Sequence, residues 1–511
     1  MTKAIMFQGT SSHVGKSILT TALCRILRQD GYRPVPFKAQ NMALNSYVTK
    51  DGDEIGRAQV AQAEAAGLDP IVQMNPVLLK PSGNQTSQVV LMGKPVGVYS
   101  AQEYHTRYSL TAWDSVKESM AYLQERFDVV VIEGAGSPAE VNLKDTDIVN
   151  MRVAKEFNVP VFLIADIDRG GALASIVGTL ELLEPEERDL VKGIVINKFR
   201  GDIRLLEPAL TFLEEKTGKP ILGVVPYLED LGIENEDSVS LQDKADHIDR
   251  SLQIAVLQTP KISNFTDFDA LSHEPDVDIR YIRRGDSIGH PDMVILPGSK
   301  NTIEDLLYLH RFGYVQELRE LAAAGVPIAG ICGGYQMLGQ EVLDPGHVES
   351  THDRVEGVGL LPTRTHMEGQ KTTHQVTFAC HEFDFLGMDV SFDHLHGYEI
   401  HMGQTDFLDD RGGAFTLRTR SSRPVTAQDG KVSADRQVFG TYMHGIFDND
   451  ELRRAVLNEL RKRKHLDPLP VSFRWNEYKD SEYNRLADTV RQALHMDLIY
   501  RLLQTEPSAN V

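Results

Sequence analysis

At 511 residues the chain is too long for one ordinary hydrophobic core, and its 41% hydrophobic and 25% charged residues fit a globular protein of two or three domains. Its 53 Lys and Arg stand against 73 Asp and Glu, a net charge of −20 that excludes a general nucleic-acid binder but leaves room for a local anion pocket. Three cysteines, Cys24, Cys332 and Cys380, build neither a disulfide framework nor a Cys-x-x-Cys metal site, and no apolar run reaches the roughly 20 residues that a bilayer demands.

In chain order, the first residues, Met1 to Phe7, read as a short apolar strand. They lack the basic region and long apolar run of an export signal, so a cytoplasmic protein with no membrane partner is expected. Apolar runs then alternate with amphipathic stretches, the pattern of βαβ units on a parallel sheet. Strands are predicted over Lys3–Phe7, Pro34–Phe37, Val129–Ile132, Val159–Ala165, Gly193–Asn197 and Ile221–Val225, with helices over Lys16–Arg28 and Leu205–Lys216. The polar, acidic stretch from Glu229 to Arg250 reads as a linker. A second α/β series follows, with strands at Leu252–Leu257, Ile279–Ile282, Met293–Leu296 and Pro327–Ile331. Shorter strands and turns are expected after Thr351, up to Gly440-Thr-Tyr-Met-His444, and helices over Glu451–Lys462 and Tyr483–Leu503.

The first strand runs into Gly9-Thr10-Ser-Ser-His-Val-Gly15-Lys16-Ser17 and then a helix, the context a phosphate-binding P-loop requires. Backbone N–H groups and the helix N-terminus suit phosphate oxygens, Lys16 adds a positive charge, and the Ser17 hydroxyl suits Mg²⁺. Five residues separate Gly9 from Gly15, where the standard motif has four. That longer loop resembles dethiobiotin synthetase and its relatives, which activate a carboxylate or carbamate as a mixed phosphate anhydride. The resemblance implies an ATP-binding role for Lys38, after the second strand, and acidic Mg²⁺ ligands. Glu133 ends a buried strand at the carboxyl edge of the sheet, where ligands bind in such folds, and Glu54 is a further acidic candidate. Asp166-Ile-Asp168-Arg169 and Asn197-Lys198 also sit at predicted strand ends, the first able to meet a phosphoryl group or acceptor, the second a nucleotide, or either able to cap a turn.

In the second series, Val326-Pro-Ile-Ala-Gly330 leads into Gly330-Ile-Cys332-Gly333-Gly334-Tyr-Gln336, a strand ending in a sharp turn around one cysteine. Glycines permit such an elbow, backbone N–H groups can hold an oxyanion, and the following helix favours a thiolate. With His444 at the end of a later strand, this resembles the triad-type, class I glutamine amidotransferase domain. The resemblance makes Cys332 nucleophile and His444 base, and assigns glutamine binding to Gln336, Gly333 and the Leu296-Pro-Gly298-Ser-Lys-Asn-Thr302 loop. Most members carry an acid two residues after the histidine; here that position is Ile446, so another group orients His444 or the pair acts alone.

The order of the halves, with Phe37-Lys-Ala-Gln-Asn41-Met-Ala-Leu-Asn45, Glu54-Ile-Gly-Arg-Ala-Gln59, Met74-Asn75-Pro-Val-Leu-Leu-Lys-Pro81 and Tyr-Met-His444-Gly-Ile-Phe, resembles the cobalamin-pathway amidotransferases, most closely the cobyric acid synthase family, to about residue 495. The resemblance implies a P-loop synthetase domain over 1–230, a linker at 231–250, a glutamine amidotransferase α/β domain over 251–448 and a helical C-terminal segment at 449–511. It implies a glutamine-hydrolysing amide ligase that converts the b, d, e and g carboxylates of adenosylcobyrinic acid a,c-diamide, using ATP, Mg²⁺ and glutamine and no tightly bound organic cofactor. Asn41, Asn45 and Asn75 are candidate corrinoid contacts or turn and cap residues. Two alternatives stay open: the sister enzyme that amidates the a and c carboxylates, and a nucleotide switch carrying an inactive glutaminase-like binding domain.

Overall fold

The computed structural model describes residues 3–83, 86–104, 109–229, 231–233, 250–388 and 390–504. The linker expected at 231–250 therefore lies almost wholly outside the described residues. The chain divides into two compact units, Met1–Ala43 with Ile55–Ile233 and Lys479–Val511, and Leu44–Glu54 with Glu234–Tyr478.

The first unit is built on six strands, β1 (Lys3–Gly9), β2 (Pro34–Phe37), β3 (Val129–Glu133), β4 (Val161–Asp166), β5 (Val191–Phe199) and β6 (Ile221–Pro226). They form one parallel sheet in the order β6-β5-β4-β1-β3-β2. Strands β3 and β4 are buried along most of their length, as runs such as Val129-Val-Val-Ile132 require for a sheet covered on both faces. Helix α1 (Lys16–Gln29) starts after Gly15 and buries Leu19, Leu23, Ile26 and Leu27 on the sheet. Residues Leu486, Val490, Ile499 and Leu503, near the end of the chain, join the same apolar core as Leu19, Leu23 and Leu222. Each such fully buried aliphatic side chain contributes about 1.5–3 kcal/mol. Gly9, Phe37, Glu133, Asp166 and Asn197, at or near the ends of five of these strands, come to the carboxyl edge of this sheet because the strands are parallel.

The second unit carries β7 (Leu252–Leu257), β8 (Val277–Ile282), β9 (Met293–Leu296), β10 (Ile328–Ile331), α2 (Gly333–Leu338), β11 (Thr363–Phe383), β12 (Val390–Phe407), β13 (Lys431–Val432) and β14 (Val438–Thr441). The central sheet runs β8-β7-β9-β10-β14-β13, parallel except for the last pair. Where short strands were expected after Thr351, β11 and β12 form a long antiparallel pair of 21 and 18 residues. Its register shifts three times, so no single alternation of apolar and polar residues marks it in the sequence. Among the described residues no helix is long and apolar enough to cross a membrane.

Candidate functional site

In the first unit, Gly15 caps α1 in a left-handed conformation, φ 99°, and no side chain caps the helix start. A Cβ on Gly15 would lie 2.1 Å from Asn197 Nδ2, so only glycine lets the loop close there. Asn197 donates to the Val14 carbonyl at 2.8 Å, and Lys198 donates to the His13 carbonyl at 2.7 Å and to Asp166 Oδ2 at 2.8 Å. The two strand-end segments thus pin the loop. Thr10 N donates to the Ile164 carbonyl at 2.9 Å, tying the loop's start to β4. Lys16 Nζ donates to the carbonyls of Ser11 at 3.0 Å and Gly136 at 3.1 Å, which aims an ammonium across the loop mouth.

Glu133 is the hub beside it. Its Oε1 accepts from Ser17 Oγ at 2.8 Å and Lys38 Nζ at 2.9 Å, and its Oε2 accepts from Gln62 Nε2 at 2.6 Å. Burial alone would raise the carboxyl pKa, but the Lys38 ammonium and these hydrogen bonds outweigh it and hold Glu133 below the usual carboxylate range. Ser17, Lys38 and Glu133 are therefore brought together as expected. The Ser17 hydroxyl and a carboxylate side by side are hard oxygen donors of the kind Mg²⁺ takes. Gln62, on the helix Arg57–Ala66, was not singled out from the sequence.

The remaining candidates of this half are engaged differently. Glu54 belongs to the second unit, where its buried carboxylate pairs with Lys371 Nζ at 2.5 Å. Asn75 donates to the carbonyls of Lys38 at 3.0 Å and Val77 at 2.9 Å and accepts from Gly56 N at 3.2 Å, so it shapes the loop that carries Lys38. Asn41 donates to Gln59 Oε1 at 3.0 Å and accepts from Met42 N at 2.8 Å. Asn45 is fully buried in the second unit.

In the second unit, β10 and β14 are neighbours with Ile331 opposite Thr441, so Cys332 and His444 emerge at the same sheet edge. Cys332 N donates to the Thr441 carbonyl at 2.8 Å. Cys332 has φ 52° and ψ −107°, a strained turn that places its thiol at the start of α2. A Cβ on Gly334 would lie 2.0 Å from the Leu296 carbonyl, which explains the small residues after the cysteine. Gly333 packs on Ser299, and Gly298 lies against His444. The Gly298–Asn301 loop is fixed from beneath by Asp305, which accepts from Ser299 Oγ at 2.6 Å, Thr259 Oγ1 at 2.7 Å and Lys261 N at 3.0 Å. Gln336 is buried, accepting from Thr302 Oγ1 at 2.8 Å and donating to the Met402 carbonyl at 2.8 Å and Tyr442 Oη at 3.1 Å.

The group that orients His444 is Asp267. Its Oδ2 lies 2.7 Å from His444 Nδ1 and its Oδ1 accepts from Gly445 N at 3.0 Å. The two side chains are only 1% and 2% exposed, so solvent screens this pair little. Burial works against an imidazolium, but the Asp267 carboxylate and then the Cys332 sulfur outweigh it and raise the His444 pKa to about 10. Asp267 lies 177 positions before His444, on a turn after β7, and nothing in its local sequence marks it as an active-site acid. The arrangement Cys332, His444, Asp267 can deliver a proton to a leaving amine.

A phosphate loop in one unit and this cysteine elbow in the other define a glutamine amidotransferase joined to a nucleotide-binding domain. Residues 5–239 match the CobQ/CobB/MinD/ParA nucleotide binding domain, and residues 253–452 match the CobB/CobQ-like glutamine amidotransferase domain. The chain is 53% identical over 508 residues to a cobyric acid synthase of Pelotomaculum thermopropionicum, covering 98% of this chain and 97% of that one. It is 52% identical over 501 residues to one of Moorella thermoacetica, covering 98% and 96%. To one of Carboxydothermus hydrogenoformans it is 51% identical over 507 residues, covering 98% and 100%. The chain belongs to the cobyric acid synthase family and is a glutamine-dependent amide ligase of cobalamin biosynthesis.

Proposed function

We propose that this chain amidates the b, d, e and g carboxylates of adenosylcobyrinic acid a,c-diamide, with one ATP and one glutamine for each amide. The observation that carries this reading is the match to cobyric acid synthases over nearly the whole chain, both halves included. In the proposed organisation the synthetase domain spans 1–230 and the amidotransferase domain 251–448, with a linker between them and a helical segment at 449–511.

A carboxylate does not condense with ammonia in water without activation. The substrate carboxylate attacks the γ-phosphorus of ATP, ADP leaves, and ammonia then displaces phosphate from the acyl phosphate. Lys16, the loop N–H groups between Thr10 and Ser17, and Lys38 bind and orient the phosphates. Ser17 and Glu133 would hold Mg²⁺, which would supply neutralisation of phosphate charge. Asn41 and Asn75 act by shaping the polar loops around this site.

In the other half the Cys332 thiolate attacks the glutamine carboxamide, and backbone donors near Gly298 and Gly333 hold the oxyanion. His444 protonates the leaving ammonia, and Asp267 keeps the imidazole oriented and charged. Water then releases glutamate from the thioester. Gln336 acts by fixing β12 and Tyr442 around the glutamine site. The test is amidation of cobyrinic acid and of its a,c-diamide side by side, with ATP and glutamine. Conversion of the a,c-diamide supports the reading. Conversion of cobyrinic acid alone would assign the chain to the sister reaction.

A further inference from the structure

Residues Leu44–Glu54 leave the first unit after Ala43, lie with the second unit and return at Ile55. This strap runs against the β11–β12 pair. Thr373 Oγ1 donates to the Gly52 carbonyl at 2.8 Å, Gln375 donates to the Val48 carbonyl, and Lys371 pairs with Glu54 at 2.5 Å. At its other end the strap meets the residues that support His444. Ser46 N donates to Asn264 Oδ1 at 3.1 Å, and Tyr398 Oη donates to the Ser46 carbonyl at 3.4 Å. Asn264 Nδ2 also donates to Tyr398 Oη at 3.2 Å.

Tyr398 and Asn264 each have a second partner. The Tyr398 ring stacks on the His444 ring at 5.0 Å and 16°, and the two residues exchange backbone hydrogen bonds of 2.9 and 3.2 Å. Tyr398 also packs against Tyr47 of the strap, ring centroids 4.7 Å apart. Asn264, in a left-handed conformation, opens the short 3₁₀ turn Phe265–Phe268 that carries Asp267. Both members of the His444–Asp267 pair are thus attached to groups that grip Ser46.

We propose that the Leu44–Glu54 strap is a positioning element of the glutaminase, and that Tyr398 is the positioning residue through which its seating reaches His444. Residues on both sides of the strap in the chain hold Glu133. Lys38 precedes it and donates to Oε1 at 2.9 Å, while Gln62 follows it and donates to Oε2 at 2.6 Å. The inference rests on the glutamine-hydrolysing activity and not on which corrinoid carboxylates are amidated, so glutamate release is its readout.

Tyr398→Phe removes the hydroxyl that grips Ser46 and Asn264 but keeps the ring on His444. Tyr47→Ala removes the strap's ring contact, and Tyr398→Ala removes both. A misplacement of about 1 Å at a catalytic group costs up to about 10²-fold. Tyr398→Phe and Tyr47→Ala are therefore expected to lower kcat for glutamate release roughly tenfold with KM for glutamine within about twofold, and Tyr398→Ala roughly a hundredfold. Amidation driven by free ammonia is expected to stay within about twofold in all three, since it bypasses His444. Wild-type kcat in both Tyr398→Phe and Tyr47→Ala overturns the proposal, as does a parallel loss of ammonia-driven amidation, which would mark a general defect of folding.

Discussion

Replacing Asp267 by Asn tests the reading of the glutaminase half most sharply. Asp267 offers one carboxylate oxygen to the Gly445 N–H and the other to His444 Nδ1. An Asn side chain has a single carbonyl oxygen. If that oxygen keeps the Gly445 hydrogen bond, the amide NH₂ faces Nδ1 and forces the imidazole proton onto Nε2, away from the tautomer that serves Cys332. The charge is lost as well. Two unit charges about 4 Å apart interact by about 4 kcal/mol at an effective dielectric constant of about 20. At about 1.4 kcal/mol per decade, glutamine-driven amidation should fall roughly a thousandfold. The His444 pKa should drop from about 10, because burial would no longer be opposed by the carboxylate. The assay is amide formation with glutamine and, in the same preparation, with ammonium chloride at alkaline pH. The ammonia-driven rate should survive. A variant within tenfold of wild type with glutamine would refute the orienting role of Asp267, and one inactive with both nitrogen sources would show the effect to be structural.

Cys332→Ala should abolish glutamate release yet retain ammonia-driven amidation, as judged by corrinoid product; loss of both would show that the two activities cannot be separated. Lys16→Ala should remove amidation with either nitrogen source while leaving glutamate release measurable, and persistent ammonia-driven amidation would show that the loop does not serve the transferred phosphate. Burial raises Asp429 to about 7 against the Thr441 hydrogen bond, Glu349 to about 7 against Lys300, and Asp305 to about 6 against the Ser299 and Thr259 hydrogen bonds. Their folded pKa values lie above the ordinary carboxylate values, so the stability they contribute is full below about pH 4 and is lost progressively as pH rises from there to the folded values of about 6 to 7. For Asp429, raised from 3.8 to about 7, that is of order 4 kcal/mol. Asp429→Asn should therefore flatten the decline in thermal stability between about pH 4 and 7, and an unchanged slope would contradict it.

The parallel strands and both loops were legible because each rests on local sequence. Runs such as Val129–Ile132 have no polar alternation, Gly15-Lys16-Ser17 opens a helix, and Gly330 to Gly334 surrounds one cysteine with residues small enough for the elbow. Glu133 and Lys38 could be placed at the sheet edge because they end strands. Asp267 could not, since its role depends on a turn folding back against a histidine far along the chain. Ile446 showed only that the usual acid was missing. The β11–β12 pair was hidden by its register shifts and its many Thr and His residues, and with it the strap that seats on it. Glu54 reads as a loop acid in sequence, but its partner Lys371 is more than 300 positions away and is visible only in the fold.

The most direct measurement is mass spectrometry of the corrinoid formed from adenosylcobyrinic acid a,c-diamide, ATP and amide-¹⁵N glutamine. The predicted product has four new amides, each carrying the label, and none forms when ATP is left out. A product with no label, or an a,c-diamide left unconverted while cobyrinic acid supplied in its place gains two labelled amides, would contradict the proposed reaction.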